Sequence, residues 1–197
     1  IVQQSVNRML RLVNQLMDFN KLENDTLKLK VKRTDVVTEL KRIMEIFNVN
    51  AQSKDISLIT TGIEDSFLMW LDADKIDKIT TNLLSNALKF TPRGGKIEVN
   101  FDVITGEEAR QAFRIPQEQT FAQYIKLEVA DTGIGIPEEQ TERIFERYYQ
   151  LNNQSVGSYN WGTGIGLYYA RSLARLHHGL LKAGNRTDGQ GAVFTLI

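Results

Sequence analysis

Two glycine-spaced runs, each set where a regular element meets a loop, constrain this chain more than its composition does. The first is DTGIGIP, Asp131 to Pro137, directly after an alternating stretch at residues 124–130 that reads as a strand. The second is Gly162-Thr163-Gly164-Ile165-Gly166-Leu167, which opens a helical pattern running from about residue 164 to residue 178. Glycine reaches backbone angles closed to other residues and lets a flat or charged ligand come close to the main chain. Backbone N–H groups at a helix start attract anions. The second run is neither a dinucleotide fingerprint, because a polar loop and not a strand precedes it, nor a P-loop, because no Gly-Lys-Ser or Gly-Lys-Thr occurs. Each run also describes something plainer: a tight turn capped by Asp131, and a hinge before a helix.

The surrounding pattern indicates a mixed α+β domain. Val2, Val6, Met9, Val13, Leu16 and Leu22 recur at helical steps, so residues 1–22 read as one helix, with a boundary near residues 23–25. Leu27, Leu29 and Val31 alternate with lysines as a strand would. Thr34 or Asp35 can cap a helix lined by Val36, Val37, Leu40, Ile43, Met44 and Phe47. Short strands follow near residues 56–60 and 67–71, then a helix capped by Asp72, carrying Ile76, Ile79, Leu83, Leu84, Ala87 and Leu88 and ending at Pro92-Arg93-Gly94-Gly95. Ile97, Val99, Phe101 and Val103 alternate as a strand. Residues 104–122 read as a long polar loop, residues 137–147 as a short helix, residues 150–161 as a polar loop, and the segments near 180–183 and 192–197 as two closing strands. The order implies a two-layer sandwich, a mixed sheet with helices on one face.

Composition removes several alternatives. With 24 basic and 24 acidic residues the formal net charge is zero, so bulk charge makes no case for nucleic acid or a membrane surface. The absence of cysteine excludes disulfides, zinc–thiolate sites and a cysteine nucleophile. No apolar run is long enough to span a bilayer. The chain starts without Met and inside a helical pattern, and so reads as a piece of a longer protein.

Two further constellations carry chemistry. Asn82, Asn86, Lys89 and Phe90 follow one another at steps of four, three and one, with Asn82, Asn86 and Lys89 on one side of the Asp72-capped helix. An asparagine carbonyl is a hard oxygen ligand for a magnesium ion that keeps most of its shell from water and phosphate, and Lys89 can offset phosphate charge. The same residues also describe a solvated helix face. In Ile144-Phe145-Glu146-Arg147-Tyr148-Tyr149, the Arg147 guanidinium can reach a phosphate, while Phe145 and the tyrosines anchor the segment by burial. An amphipathic helix end has the same composition.

Taken in order, NLLSNALKFTP, DTGIGIP, IFERYYQ and GTGIGL resemble the catalytic domain of sensor histidine kinases, in the superfamily shared with gyrase, the MutL proteins and the large heat-shock chaperone. The likeness covers about residues 35–197. Arg11–Glu23 resembles the exit of the second dimerisation helix, and the segment 176–197 the family's closing hairpin. The resemblance implies a Bergerat-type ATP-binding fold over residues 27–197, after a partial dimerisation region at 1–26. It implies ATP and Mg2+ as cofactors. Asn86 would bind the metal with Asn82 assisting, and Lys89 and Phe90 would border phosphates and sugar. Asp131 would hold the adenine amine, beside Gly133, Gly135 and Ile136. Gly162, Thr163, Gly164, Ile165, Gly166 and Leu167 would face the phosphates, with Arg147 approaching the terminal one and Thr195 near the closing strand's end. Residues 138–161 would form a lid over ATP.

The same resemblance implies a γ-phosphoryl transfer to a histidine on a dimerisation helix of its own or a sister subunit in a homodimer. Relay to a response-regulator receiver domain would follow. It implies a cytoplasmic domain of a membrane-anchored parent, with no direct membrane contact and no nucleic acid as partner. Hydrolysing relatives carry a Glu four residues before the metal-binding Asn. Asn82 stands there and cannot act as a general base, which favours a kinase over a serine kinase or ATPase of the superfamily. The phospho-accepting histidine with its His-Glu-Leu-Arg-Thr-Pro setting is absent. His177 and His178 read as a helix end, so the chain is expected to bind nucleotide without phosphorylating itself, which keeps a non-catalytic nucleotide-binding scaffold as the alternative. The apolar surface of residues 1–22 is expected to drive self-association in a helical bundle.

Overall fold

The computed structural model describes residues 17, 20–22, 24, 26–62, 65–115, 121–150 and 163–197. Of the helix read over residues 1–22, only Met17, Asn20, Lys21 and Leu22 are described, all helical; the rest, with the expected self-association surface, lies outside the described residues. The chain divides into two compact units, residues 1–30 and 31–197. The second unit holds the sheet and the helices packed on it.

Asp35 makes the first junction. It ends strand β1 (Lys32–Asp35) and caps helix α1 (Val36–Ser53). Its carboxylate accepts from the Val37 N–H, the Thr38 hydroxyl and the Phe67 N–H at 3.2, 2.7 and 3.1 Å. These donors, the Thr38 hydroxyl foremost, pull its pKa down to about 2. The helix then buries the apolar stripe read from sequence, Val36 through Phe47. The strand expected at residues 27–31 does not form: residues 26–31 are irregular, and the pairing starts at Lys32, where β1 meets β3 (Leu68–Leu71) in an antiparallel ribbon. Alternation describes a strand only when a partner edge lies alongside.

Helix α2 (Ala73–Phe90) is capped by Asp72, whose side chain accepts from the Lys75 N–H. It packs between α1 and helix α4 (Gly166–Leu176). Beneath them lies a five-stranded sheet in the order β2-β4-β5-β7-β6, built from Ser57–Gly62, Lys96–Thr105, Gln123–Asp131, Ala192–Leu196 and Leu181–Asn185. β2 runs parallel to β4, and the other pairings are antiparallel. Ile97, Val99, Phe101, Leu127 and Val129 face the helices and are buried. The opposite face carries ion pairs, Lys96–Glu98–Arg186 and Lys126–Glu128. A sheet with one apolar and one charged face gives the expected two-layer sandwich.

Two expectations need correction. The polar loop at 104–122 contains helix α3 (Gly106–Phe113), started by a capping box in which Thr105 and Glu108 satisfy each other's backbone N–H groups. The single helix expected at 137–147 is instead two 3-10 turns, Glu138–Gln140 and Arg143–Phe145. Only Ile144 and Phe145 are buried there, too few to seat three turns of helix.

Among the described residues, Thr80 Oγ1 is the fully enclosed side-chain polar atom without a hydrogen-bond partner. Thr80 lies on the buried face of α2 with no exposed surface. A buried hydroxyl that makes no bond costs about 1–3 kcal/mol, and valine fills the same space. Thr80→Val is therefore expected to stabilise the fold by roughly 1 kcal/mol in denaturant titration. An unchanged or lower midpoint would show that the hydroxyl is satisfied.

Candidate functional site

Asp131 ends the central strand β5 and is buried, at 3% exposure, under the helix layer. Its Oδ1 accepts from the Gly133 N–H at 2.8 Å and the Ala192 N–H at 3.4 Å. Oδ2 accepts no hydrogen bond from a described residue. Burial pushes the carboxyl upward in pKa, and the two N–H donors and the Arg186 charge restrain the rise. One oxygen is thus fixed to the main chain, and the other is left to accept from a ligand.

The turn after Asp131 is moulded by close approaches. A methyl on Gly133 would lie 2.5 Å from the Phe90 carbonyl oxygen and 2.7 Å from Asp131 Oδ1, so the end of α2 rests against the start of DTGIGIP. Gly135 has φ +73°, the left-handed region that favours glycine. Ile136 is buried.

The second glycine run meets α2 nearer the middle of the helix than this turn does. A methyl on Gly166 would lie 2.7 Å from Asn82 Oδ1, so the first turn of α4 rests on the middle of α2. Asn82 Nδ2 donates to the Lys78 carbonyl at 2.8 Å. Asn86, one turn further along α2, is half-buried, and its side chain makes no hydrogen bond to a described residue. Lys89 stands over the Phe90 ring at 4.7 Å, and burial lowers its ammonium pKa. α4 differs from α1, α2 and α3 in having no side-chain cap at its start, at Ile165. Thr163 is exposed, and its hydroxyl accepts from the Ile165 N–H at 3.4 Å. Leu167 is half-buried in the first turn of α4. Gly162 lies outside the described residues, as does 151–161 of the expected lid.

The Ile144–Tyr149 segment joins this constellation through the backbone. Tyr148 N–H donates to the Gly164 carbonyl at 3.0 Å. Phe145 is buried against Phe194 in an edge-to-face contact at 6.5 Å. Tyr148, expected to anchor the segment by burial, is instead 64% exposed with φ +61°, so Phe145 does the anchoring. Arg147 donates to the Tyr168 hydroxyl at 2.9 Å and stacks on that ring at 4.9 Å.

Thr195 is not brought to the site. It pairs with Glu128, on the face of the sheet opposite Asp131, and its hydroxyl donates to Glu128 Oε1 at 3.4 Å. His177 closes α4: its Nε2 accepts the Asp72 N–H at 3.3 Å, and its Nδ1 lies 2.9 Å from the Leu173 carbonyl. His178 has φ +59° just beyond that helix. Both act at a helix end. One residue escaped the sequence reading altogether. Asn185, the last residue of β6, accepts from the Ile136 N–H and donates to the Ile136 carbonyl.

No group of three or more His, Cys, Asp or Glu that could hold a metal occurs among the described residues. On α2, the Asn82 amide oxygen lies beside the first turn of α4, and the Asn86 amide follows one turn on. Such a set suits a magnesium ion carried mainly by phosphate and water, not one caged by protein.

A family model described as histidine kinase-, DNA gyrase B-, and HSP90-like ATPase matches residues 71–197. The chain belongs to this family. The ATPase-family segment covers α2, the sheet from β4 onward and both glycine runs. Among relatives, the chain is 31% identical over 98% of its length to histidine kinase P4 of Formosa agariphila, covering 13% of that protein. It is also 31% identical over 98% of its length to the sensor histidine kinase TmoS of Ectopseudomonas mendocina, covering 18% of it. The crystal structure of full-length ShkA in complex with AMPPNP superposes with a TM-score of 0.77 at 25% identity, over 98% of this chain and 36% of that one. The chain thus spans well under a third of these curated relatives' lengths. No helix among the described residues is long and apolar enough to cross a membrane.

Proposed function

We propose that this chain is the ATP-binding catalytic part of a sensor histidine kinase, moving the γ-phosphoryl of Mg-ATP to a histidine on a separate dimerisation helix. The observation that carries the reading is Asp131: a buried carboxylate with Oδ1 committed to two backbone N–H groups, and with Oδ2 left to accept at the edge of a glycine turn. An adenine exocyclic amine is a donor of that kind, and the glycines let the flat ring reach the main chain. Lys89 and Phe90 would border the phosphates and sugar. The start of α4, which has no side-chain cap, would turn its first-turn N–H groups toward phosphate oxygens.

Asn86, with Asn82, would hold the magnesium ion, which supplies charge neutralisation to the phosphates. Arg147, stacked on Tyr168 in this structure, would add its guanidinium to the terminal phosphate. In the transfer, the bond between the γ-phosphorus and the ADP oxygen breaks as one forms to an imidazole nitrogen. Asn82 leaves water without a general base, so transfer should outpace hydrolysis. The chain's contribution is positioning and charge neutralisation, as in phosphoryl transfer generally. A response-regulator receiver domain would take the phosphoryl group next.

The test supplies a histidine-bearing first dimerisation helix in trans with radiolabelled ATP and magnesium. Acid-labile, base-stable label on the added helix is expected, with the rate reduced roughly 100-fold in Asn86→Ala. Nucleotide binding without any transfer would favour a non-catalytic binding module instead.

A further inference from the structure

Asn185 lies on the edge strand β6, 49 residues from Ile136 in sequence, and none of the candidate site residues read from sequence is Asn185. Its amide nevertheless makes a two-point contact with a single residue of the first glycine run. Oδ1 accepts from the Ile136 N–H at 2.7 Å, and Nδ2 donates to the Ile136 carbonyl at 2.6 Å. This is how one strand residue pairs with another, performed by a side chain. A methyl on Gly135 would lie 3.0 Å from Asn185 Oδ1, so the left-handed turn at Gly135 is folded directly beneath the amide.

The same hairpin grips the other end of the run. Ala192, the cross-strand neighbour of Asn185, donates its N–H to Asp131 Oδ1. Gly191 is pressed so closely on Asp131 that an added methyl would lie 1.8 Å from the Asp131 carbonyl oxygen. Residues 131–136 are therefore held at both ends by the β6–β7 hairpin: by main chain at Asp131 and by the Asn185 side chain at Ile136.

We propose that Asn185 is a positioning residue for adenine recognition, its amide fixing the Gly135–Ile136 wall at the distance from Asp131 that the base requires. This rests on the nucleotide reading of the Asp131 site. The amide touches no nucleotide; it acts through Ile136. An aspartate at 185 keeps the size and the acceptor but loses the donor, and turns a carboxylate oxygen toward the Ile136 carbonyl. It is therefore expected to fail as alanine does, which packing alone would not predict.

The experiment is calorimetric titration of ADP and GDP, with magnesium, into the wild-type chain, Asn185→Ala, Asn185→Asp and Asp131→Ala, with thermal unfolding of each without nucleotide. Loss of the two bonds is expected to weaken ADP binding about tenfold in both Asn185 variants. The preference for ADP over GDP should narrow with little change in melting temperature. An ADP affinity within twofold of wild type in Asn185→Ala, with Asp131→Ala still abolishing binding, would overturn the proposal and leave the nucleotide reading standing. So would an Asn185→Asp variant that binds as wild type does, or equal weakening of ADP and GDP with a large drop in melting temperature, which would assign Asn185 to the fold alone. A folded wild type that binds no ADP would overturn both.

Discussion

Asp131→Asn is expected to lose nucleotide affinity on the order of 100-fold while making the unliganded fold more stable at neutral pH. The two effects have one origin. The carboxyl is buried, and burial raises its pKa above the ordinary value of 3.8. A carboxyl whose folded pKa exceeds its unfolded value takes up protons on folding. Its effect on stability therefore worsens as pH rises from the unfolded toward the folded pKa, and stays at its worst above both. Asparagine keeps an oxygen for the Gly133 and Ala192 N–H groups and removes the charge. In the position of Oδ2, however, it presents a donor to a donor. Calorimetry with ADP and melting curves at neutral and acid pH check both halves. The melting advantage should shrink as pH falls toward 3.8, the ordinary aspartate value. Retained ADP binding in this variant would remove Asp131 from base recognition.

The second large effect is expected at Gly191. Its φ of +137° is closed to ordinary L-residues, and an added methyl would meet three backbone atoms of Asp131 and Thr132 between 1.8 and 3.0 Å. No side chain can rotate away to make room. Backbone strain and overpacking each cost about 1–3 kcal/mol, so Gly191→Ala should lose roughly 3–5 kcal/mol. For a chain of this size that corresponds to a melting temperature about 10 °C lower. Gly189, two residues away in the same turn, has nothing within 4 Å of where an added methyl would sit, and Gly189→Ala should be close to neutral. Equal melting temperatures for the two variants would refute the argument. Because Gly191 abuts Asp131, the Gly191 variant should also bind nucleotide less well.

The legible parts of this fold were those governed by local chemistry. Asp35 and Asp72 each cap a helix whose apolar residues recur at helical spacing, and both helices appear where those signals sit. β4 and β5 alternate cleanly because one face meets helices and the other meets water. Helix α3 was missed although its capping box is written out as Thr105-x-x-Glu108, because few apolar residues accompany it. The strand expected at 27–31 failed for the opposite reason: a correct alternation with no edge to pair against. At the site, Asp131 and the glycines were legible as motifs. Asn185 was not, since its partner lies 49 residues away and a lone polar residue before a turn carries no local signal. Thr195 failed by parity: an odd step along paired strands puts it on the other face from Asp131.

The sheet order also bears on how the proposed nucleotide site would form during translation. β5 gains its second neighbour only from β7, and Asp131 and Ile136 each have a hydrogen-bond partner in residues 185–192. A nascent chain that has just released DTGIGIP from the ribosome carries that run but not the hairpin that holds both its ends. If the run recognises adenine as proposed, competence for nucleotide should arrive only with the hairpin. Until then β5 offers an unpaired edge, which makes the interval before the β6–β7 hairpin emerges the one most open to wrong pairing between neighbouring chains.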